Sequence, residues 1–376
     1  MKTTAAVMYE AKAPLVVEEI ELDGPKAGEV LVKLAATGIC HSDLHALDRD
    51  WSMMPFPAVL GHEGAGVVEQ VGEGVTRLQV GDAVILTYMP ACGTCQWCHR
   101  GRPYLCDLGE LLPTGKMLDG TSRLRAGDGT ELHHFLFVSA FSRFAVVPEL
   151  SAVKVDGDVP LEKVCLLGCG VTAGFGAAWR AVKVGPGDTV VVVGAGGVGL
   201  NTIQACALGG ASKIIAVDLH EEKLVMAKRF GATHTIKNDH NLFGVVGPVF
   251  ELTQGVGADF AFEVVGGDDT DETISIAFSS VRKGGTMVMV GAPPDAKQSS
   301  PISPFILSMY SKTVKGVMFG STQFRYDIDK LVMLYRDGRL KLDELVTQEL
   351  SLEQINQGFD DMRAGNKVAR SVIRFD

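Results

Sequence analysis

Four of the chain's eight cysteines fall in one short segment, spaced Cys92-x2-Cys95-x2-Cys98-x7-Cys106. Short turns let neighbouring thiolates converge on a single ion, and four sulfurs complete a tetrahedral zinc site with no position left for a substrate. The bacterial iron–sulfur run has a shorter last interval followed by proline, whereas Asp107 follows Cys106 here, so structural zinc is the expectation. Such a site pins a loop with little core of its own: the segment RGRPYLCDLGELLPTGKMLDG is rich in glycine and turn formers.

A second set of potential ligands is dispersed along the chain. GICHSDLH places Cys40 beside ionisable groups, GHEGAGVVEQVGEGV supplies His62 and Glu63 between glycines, and Cys169 stands between Gly168 and Gly170. Any one of these alone is ordinary, because cysteine is often a small buried apolar residue and a lone histidine is usually just hydrogen-bonded. Two thiolates and one imidazole together make three protein ligands, the number that leaves the fourth position of a catalytic zinc open to water or substrate. Cys165 and Cys206 lie in the apolar stretches KVCLLG and IQACALGG and read as core.

The third constellation needs secondary structure around it. The β-branched run Thr189 to Val193 reads as a buried parallel strand, followed by Gly194, Gly196 and Gly199 at G-x-G-x-x-G spacing. A helix from Gly197 to Leu208 and a second strand, Lys213 to Val217, lead to Asp218. Here glycines permit a tight turn and close approach to a pyrophosphate, the helix N-terminus offers unpaired N–H groups, and Asp218 can accept from a ribose 2′-hydroxyl. A carboxylate there repels a 2′-phosphate, so the expected cofactor is NAD(H).

The elements that position these groups follow two patterns. Beyond Asp218 the chain alternates: helix EEKLVMAKRFG, strand THTI, helix near Phe243 to Gln254, strand ADFAFEVVG, helix DETISIAFSSVRKGG, strand TMVMVGAPP. That is the period of a doubly wound parallel sheet. Before about residue 150, short segments such as EVLVKLAATG, AGVVEQVG, DAVILTY and FAVVPE, separated by glycine and proline, suggest a mostly antiparallel β domain.

The 376 residues are 46% hydrophobic and 21% charged, ordinary for a globular chain with two substantial cores. A net charge of −10 gives no reason to expect nucleic acid, and no apolar run approaches a bilayer span. The start, MKTTAAVMYEAKAPLVVEE, carries acidic residues where a secretory leader would be apolar. A cytoplasmic location is expected, and in a reducing compartment clustered cysteines bind metal more often than they pair.

With these motifs assembled, the chain resembles the zinc-dependent alcohol dehydrogenases of the medium-chain dehydrogenase/reductase superfamily, in the long, liver-type branch. The resemblance runs over essentially the whole length. It is carried by the G-H-E-x2-G-x5-G-x2-V pattern at Gly61 to Val75, the four-cysteine lobe, GCG at 168 to 170 and GAGGVG at 194 to 199. MLDGTSR, HHFL and FEVVG also fit that branch.

The resemblance implies a GroES-like β-rich catalytic domain at 1–170 and 312–376, with the structural zinc lobe at about 88–112, interrupted by a Rossmann NAD-binding domain at 171–311. It makes Cys40, His62 and Cys169 the catalytic zinc ligands, Glu63 a nearby acid, and Asp43 the group that orients His62. Ser42 and His45, three apart, would form a proton relay through the ribose hydroxyl. His41 and Arg370 are implied at the pyrophosphate, and Gly197, Val198, Lys223, Val264 and Val290 around the rest of the nucleotide. The implied substrate pocket is Trp51, Tyr88, Leu105, Leu111, Phe135, Leu136, Ala292 and Met318, which favours hydrophobic primary alcohols and aldehydes, medium-chain or aromatic.

A homodimer is the implied assembly. Two departures bear on the cofactor: Ala173 replaces a threonine that packs on nicotinamide in the branch, and His41 replaces a frequent arginine. The alternative on the same scaffold is a glutathione-dependent formaldehyde dehydrogenase, but Glu110 stands where its anion-binding arginine belongs, and Trp51 and Met53 replace its acidic pair. A formaldehyde dismutase and an enzyme that keeps its nucleotide bound share the same motifs. A non-catalytic NAD(H)-binding protein is disfavoured because no ligand or relay residue is lost.

Overall fold

A computed structural model describes residues 1–48, 51–52, 54–267, 270–297, 299–365 and 369–375. Met53, weighed above against a formaldehyde-type enzyme, lies outside them. The chain forms two compact units, Met1–Cys169 with Gln323–Asp376, and Gly170–Thr322.

In the first unit, glycine and proline cut the sequence into short strands. Five of them, Lys2–Met8, Val16–Leu22, Leu124–Arg125, Glu131–His134 and Ala58–Val59, close a barrel. Seven more form a sheet centred on the long strand Glu29–Ile39, which pairs antiparallel with Glu63–Val71, Phe144–Pro148 and Arg370–Arg374. Along that strand only Lys33 is exposed, which explains its near-continuous apolar sequence. Its register sets Gly38 opposite Glu63 and Ile39 opposite Ser371. Cys40, Glu63 and Arg370 therefore arrive together at one end of the sheet.

A buried ion pair braces the same strand from its other end. Arg123, fully buried, donates to both carboxylate oxygens of Glu29 at 2.8 and 2.6 Å and to Asp119 at 2.9 Å. Glu29 also accepts from the Lys26 N–H at 2.9 Å.

In the second unit the β-branched runs become six parallel strands in the order His234–Lys237, Lys213–Asp218, Thr189–Val193, Ala258–Glu263, Val281–Met289, Thr313–Gly316. Chain order reverses between Thr189–Val193 and Ala258–Glu263, so a crevice opens beyond the carboxyl ends of those two strands. Two expectations need correction. The helix expected over 271–285 is Thr270–Ser280, because Val281 already pairs with Ala258 and the following residues join the sheet. The second unit ends at Thr322 and not at 311, because Thr313–Gly316 hydrogen-bonds to Val281–Met289 as the last strand of the sheet.

Arg123→Met would leave the Glu29 carboxylate buried beside no guanidinium, a loss of ~3–5 kcal/mol. Denaturant titration is expected to show that loss, with Arg123→Met combined with Glu29→Leu recovering most of it.

Candidate active site and metal centres

The first donor set is organised by one carboxylate. Cys40 is the N-cap of the seven-residue helix His41–Leu47, in extended backbone geometry. Asp43, in the first turn, accepts the Cys40 N–H through Oδ2 at 3.0 Å. Its Oδ1 accepts the Gly61 N–H and meets His62 Nδ1, each at 3.0 Å. His62 is fully buried, and its Nε2 has no hydrogen-bond partner among the described residues. A buried ring nitrogen left open while the other is held by a carboxylate is the arrangement of a metal-ligating histidine.

Cys169 follows the short 3-10 turn Cys165–Gly168, and the ligand atoms of Cys40, His62, Glu63 and Cys169 all lie within 4.8 Å of one another. The hydrogen bond with Cys169 holds the Cys40 thiol well below its ordinary range despite burial, with His62 and Arg370 adding to it. The same contact, with burial, pushes Cys169 well up. Burial opposes a charge on His62, yet Asp43 and the Cys40 sulfur carry it well above the usual imidazole value. Burial also raises Glu63, against the pull of Arg370. Mutually stabilised negative sulfur and an open imidazole nitrogen fit a divalent ion such as zinc.

Arg370 shows a partnership that sequence reading missed. Its Nη2 donates to Glu63 Oε2 and to the Ile39 carbonyl, with both side chains buried. No local motif could reveal a pair 307 residues apart. The guanidinium proposed for the pyrophosphate is thus also the counter-charge of the acid beside the ligands.

The second donor set is local. The sulfurs of Cys92, Cys95, Cys98 and Cys106 lie within 4.8 Å of one another, with Cys92 and Cys98 3.9 Å apart. Sulfurs at ~2.3 Å from one tetrahedral ion sit about 3.8 Å apart. All eight cysteines are free of disulfides. Backbone N–H groups point at the sulfurs: Thr94 and Cys95 at Cys92 (3.4 and 3.3 Å), Cys98 at Cys95 (3.5 Å), Cys92 at Cys106 (3.4 Å). Against burial, the Thr94 hydroxyl, which donates to Cys92 at 3.5 Å, and these backbone bonds bring Cys92 down to about 6, while burial carries Cys98 up to about 12. Two further ties escaped sequence reading: Arg325 Nη2 donates to the Ala91 and Leu150 carbonyls at 3.0 Å each, and Gln323 Nε2 donates to the Gly101 carbonyl at 3.2 Å.

Around the first set, Tyr88 and Phe135 make T-shaped ring contacts with His62, at 5.9 and 5.7 Å between centroids. Burial and the two sulfurs keep the Tyr88 hydroxyl well above its ordinary value, hence protonated. Leu136 packs against the core cluster that contains Phe135. Ser42 and the buried His45 share the helix His41–Leu47, His41 being exposed at its start, and Trp51 stacks against His45. Leu105 and Leu111 are exposed, on the 3-10 turns that flank and follow Cys106. Ala292 and Met318 belong to the second unit.

The nucleotide motif is in that unit. Gly194 has φ +102°, and a side chain there would strike Val265 at 2.7 Å, so only glycine fits. Gly196 caps the helix Gly197–Gly209, which begins with Gly197, Val198 and Gly199. Asp218 Oδ2 accepts the Ala195 N–H at 2.8 Å and Oδ1 the His220 N–H at 3.0 Å, locking the carboxylate beside the glycine turn. Val264 follows strand Ala258–Glu263 and its N–H reaches the Val193 carbonyl at 3.1 Å; Val290 follows the next strand, Val281–Met289, and Lys223 lies on helix Glu221–Arg229.

Residues 26–157 match the family model described as "Alcohol dehydrogenase GroES-like domain" and residues 197–335 the one described as "Zinc-binding dehydrogenase". An NDMA-dependent alcohol dehydrogenase of Amycolatopsis methanolica is 45% identical over 374 residues, 99% of each chain. The chain belongs to the zinc-type alcohol dehydrogenases of the medium-chain dehydrogenase/reductase superfamily. The benzyl alcohol dehydrogenase of Acinetobacter calcoaceticus is 35% identical, with TM-score 0.91 over the full length of both chains. An alcohol dehydrogenase zinc-binding domain protein of Burkholderia ambifaria is 37% identical, with TM-score 0.92 over 100% of this chain and 99% of that one. The GroES-like and Rossmann-type parts of this dehydrogenase are thus both accounted for.

Asp43→Ala removes the orienting bond to His62 and the brace on Cys40 at once, and loss of such a partner weakens metal binding ~10–100-fold. Competition with a chromophoric chelator is expected to strip metal from the Cys40, His62, Cys169 set of the variant while the four-cysteine lobe keeps its own.

Proposed function

We propose that this dehydrogenase interconverts hydrophobic primary alcohols, medium-chain or aromatic, with their aldehydes, using NAD(H) and two zinc ions per chain. The observation that carries the reading is the open Nε2 of His62 amid the Cys40 and Cys169 sulfurs, with aromatic rings beside it. Bound zinc acidifies an alcohol hydroxyl, and a bound nicotinamide takes up the hydride. The chain supplies the rest. Cys40, His62 and Cys169 hold the ion, the four-cysteine lobe holds the structural one, and Tyr88 and Phe135 exclude water from its surroundings. Ser42 takes the hydroxyl proton, and His45, one helical turn on, passes it to solvent. Asp218 and the glycine turn select and seat the nucleotide.

The relative from Acinetobacter calcoaceticus, a benzyl alcohol dehydrogenase, supports an aromatic or extended apolar substrate. Among the described residues no single helix is long and apolar enough to cross a membrane, and a cytoplasmic enzyme is the proposal. A homodimer is also part of it. The sheet ends at the edge strand Thr313–Gly316, just after a helix that exposes Phe305 and Met309 by 72% and 63%, apolar surface that a second copy would cover.

A second reading is favoured by the 45% identical relative from Amycolatopsis methanolica, an NDMA-dependent alcohol dehydrogenase: in this chain NDMA would serve as acceptor and the nucleotide would stay bound. Alcohol oxidation with added NAD+ separates the two. Accumulating NADH supports the first reading; turnover with NDMA, none with free NAD+, and NAD(H) released only on denaturation would establish the second.

With exchangeable cofactor, NAD(H) is expected to be preferred to NADP(H) at least tenfold, since a fixed carboxylate facing a phosphate costs more than the ~1.4 kcal/mol this requires. Asp218→Ala should erase the preference in kcat/KM measurements. Along a series of linear alcohols, each methylene is expected to raise kcat/KM as ~0.8 kcal/mol of burial would, until the pocket fills. An enzyme that prefers ethanol to hexanol would refute the pocket.

A further inference from the structure

The glycine turn from Gly194 to Gly199 is walled by two valines just past the strand Ala258–Glu263. A side chain on Gly194 would meet Val265 at 2.7 Å and Val264 at 3.3 Å, and one on Gly199 would meet Val264 at 3.2 Å. The shape of the glycine turn therefore depends on where the turn Val264–Gly267 is held.

A buried carboxylate holds it. Glu263 ends the strand and is fully buried. Its Oε1 accepts the Val265 N–H at 3.0 Å, the Gly266 N–H at 3.3 Å and the Thr273 hydroxyl at 2.9 Å, so one oxygen ties the turn to the helix Thr270–Ser280. The Glu263 carbonyl accepts the Val290 and Gly291 N–H groups at 2.9 and 3.1 Å, and the Ala292 carbonyl accepts the Gly267 N–H at 3.0 Å. Both ends of the turn are thereby joined to the segment after Val281–Met289. The packing leaves no slack: a side chain on Gly291 would meet Glu263 Oε2 and the Gly266 nitrogen, each at 2.4 Å. Burying a carboxyl is costly, and an apolar residue would finish the strand at less cost. What the carboxylate adds is the fixed turn.

We propose that Glu263 is a positioning residue for the nucleotide: its carboxylate holds Val264–Gly267 against the glycine turn, so that the crevice beyond Thr189–Val193 and Ala258–Glu263 is shaped before a dinucleotide enters. The role rests on the NAD(H) reading above. A site shaped in advance loses less freedom on binding, and loosening it weakens and shortens binding without changing the groups that hold the metal.

The test uses the full-length, metal-loaded enzyme and NADH. Affinity is read by fluorescence titration if the nucleotide exchanges, and by the half-time of its loss in dialysis if it stays bound. Glu263→Ala is expected to weaken or shorten binding about tenfold, because two buried N–H groups lose their acceptor. Glu263→Gln should keep most of the affinity, since an amide oxygen can replace Oε1. Thr273→Val, which removes only the tie to the helix, should fall between. Hydrogen exchange at Val265 and Gly266 should quicken in Glu263→Ala, while the metal content of both donor sets and the alcohol KM at saturating nucleotide stay at wild-type values. Nucleotide binding unchanged in Glu263→Ala would overturn the proposal. So would metal loss or a raised alcohol KM in step with the nucleotide effect, which marks general loosening of the fold. If Glu263→Ala does not fold, Thr273→Val decides: NADH held as tightly as in wild type overturns the proposal, and weaker binding with full metal content supports it. A wild-type enzyme that binds no NADH would instead remove the nucleotide reading, and this role with it.

Discussion

The carboxylate of Asp43 is the constraint on which the donor set of Cys40, His62 and Cys169 depends. One oxygen braces the backbone of Cys40, the other the backbone of Gly61 and the ring of His62. A metal ion bound by two ligands from different segments needs those segments at fixed separation, and hydrogen bonds of 3.0 Å to one buried, rigid group supply it. The same bonds choose which imidazole nitrogen faces inward. Position 61 must then be glycine: its φ is +90°, and a side chain there would strike the Phe141 backbone at 2.5 Å. The conformation that offers the Gly61 N–H to Asp43 is one that other residues adopt only under strain.

Strand register does for Cys40 and Glu63 what Asp43 does for Cys40 and His62. Gly38 and Glu63 face each other across the ladder, and a side chain on Gly38 would crowd Leu166 at 2.7 Å. The close packing admits Glu63 near the sulfurs, where an unpaired carboxylate would compete with substrate for the ion. Arg370, brought in by the strand that pairs beyond Ile39, neutralises it. Burying such a pair gains little net stability, so the pair fits control of charge at the proposed metal site better than a contribution to folding energy.

What could be read from the sequence follows from how local each constraint is. The four-cysteine lobe, the glycine turn and strand Thr189–Val193 are complete within a few residues, and periodicity and spacing show them directly. The helix at 270 was legible in its start and not in its end. Helical and strand propensities do not separate SSVRKGG, and only the pairing of Val281 with Ala258 decides where the helix stops. Likewise Thr313–Gly316 carries too few residues to announce a strand, and the neighbouring strand recruits it. The Glu63–Arg370 pair and the grip of Arg325 on Ala91 connect remote segments through the tertiary fold and leave no local trace. Trp51 was legible as an aromatic residue near the ligands, but its ring contact with His45, 5.3 Å between centroids, is a matter of packing that no local motif announces.

The two donor sets differ in what holds them, and the difference matches the tasks proposed for them. In the lobe, the N–H groups that stabilise sulfur come from within the lobe, so closing the site and folding the loop are one event. Four identical donors can then meet the ion symmetrically and leave nothing open. In the set proposed as catalytic each donor is anchored to a different element: a helix N-cap, the residue before a sheet strand, and the end of a 3-10 turn. Those anchors belong to the hydrogen-bonded fold and not to the donors themselves, so the set would not have to collapse around a metal to satisfy it. A site that stays three-coordinate by protein, with a fourth direction kept for a hydroxyl, requires that kind of support from outside the ligands, and the buried Asp43 carboxylate provides it.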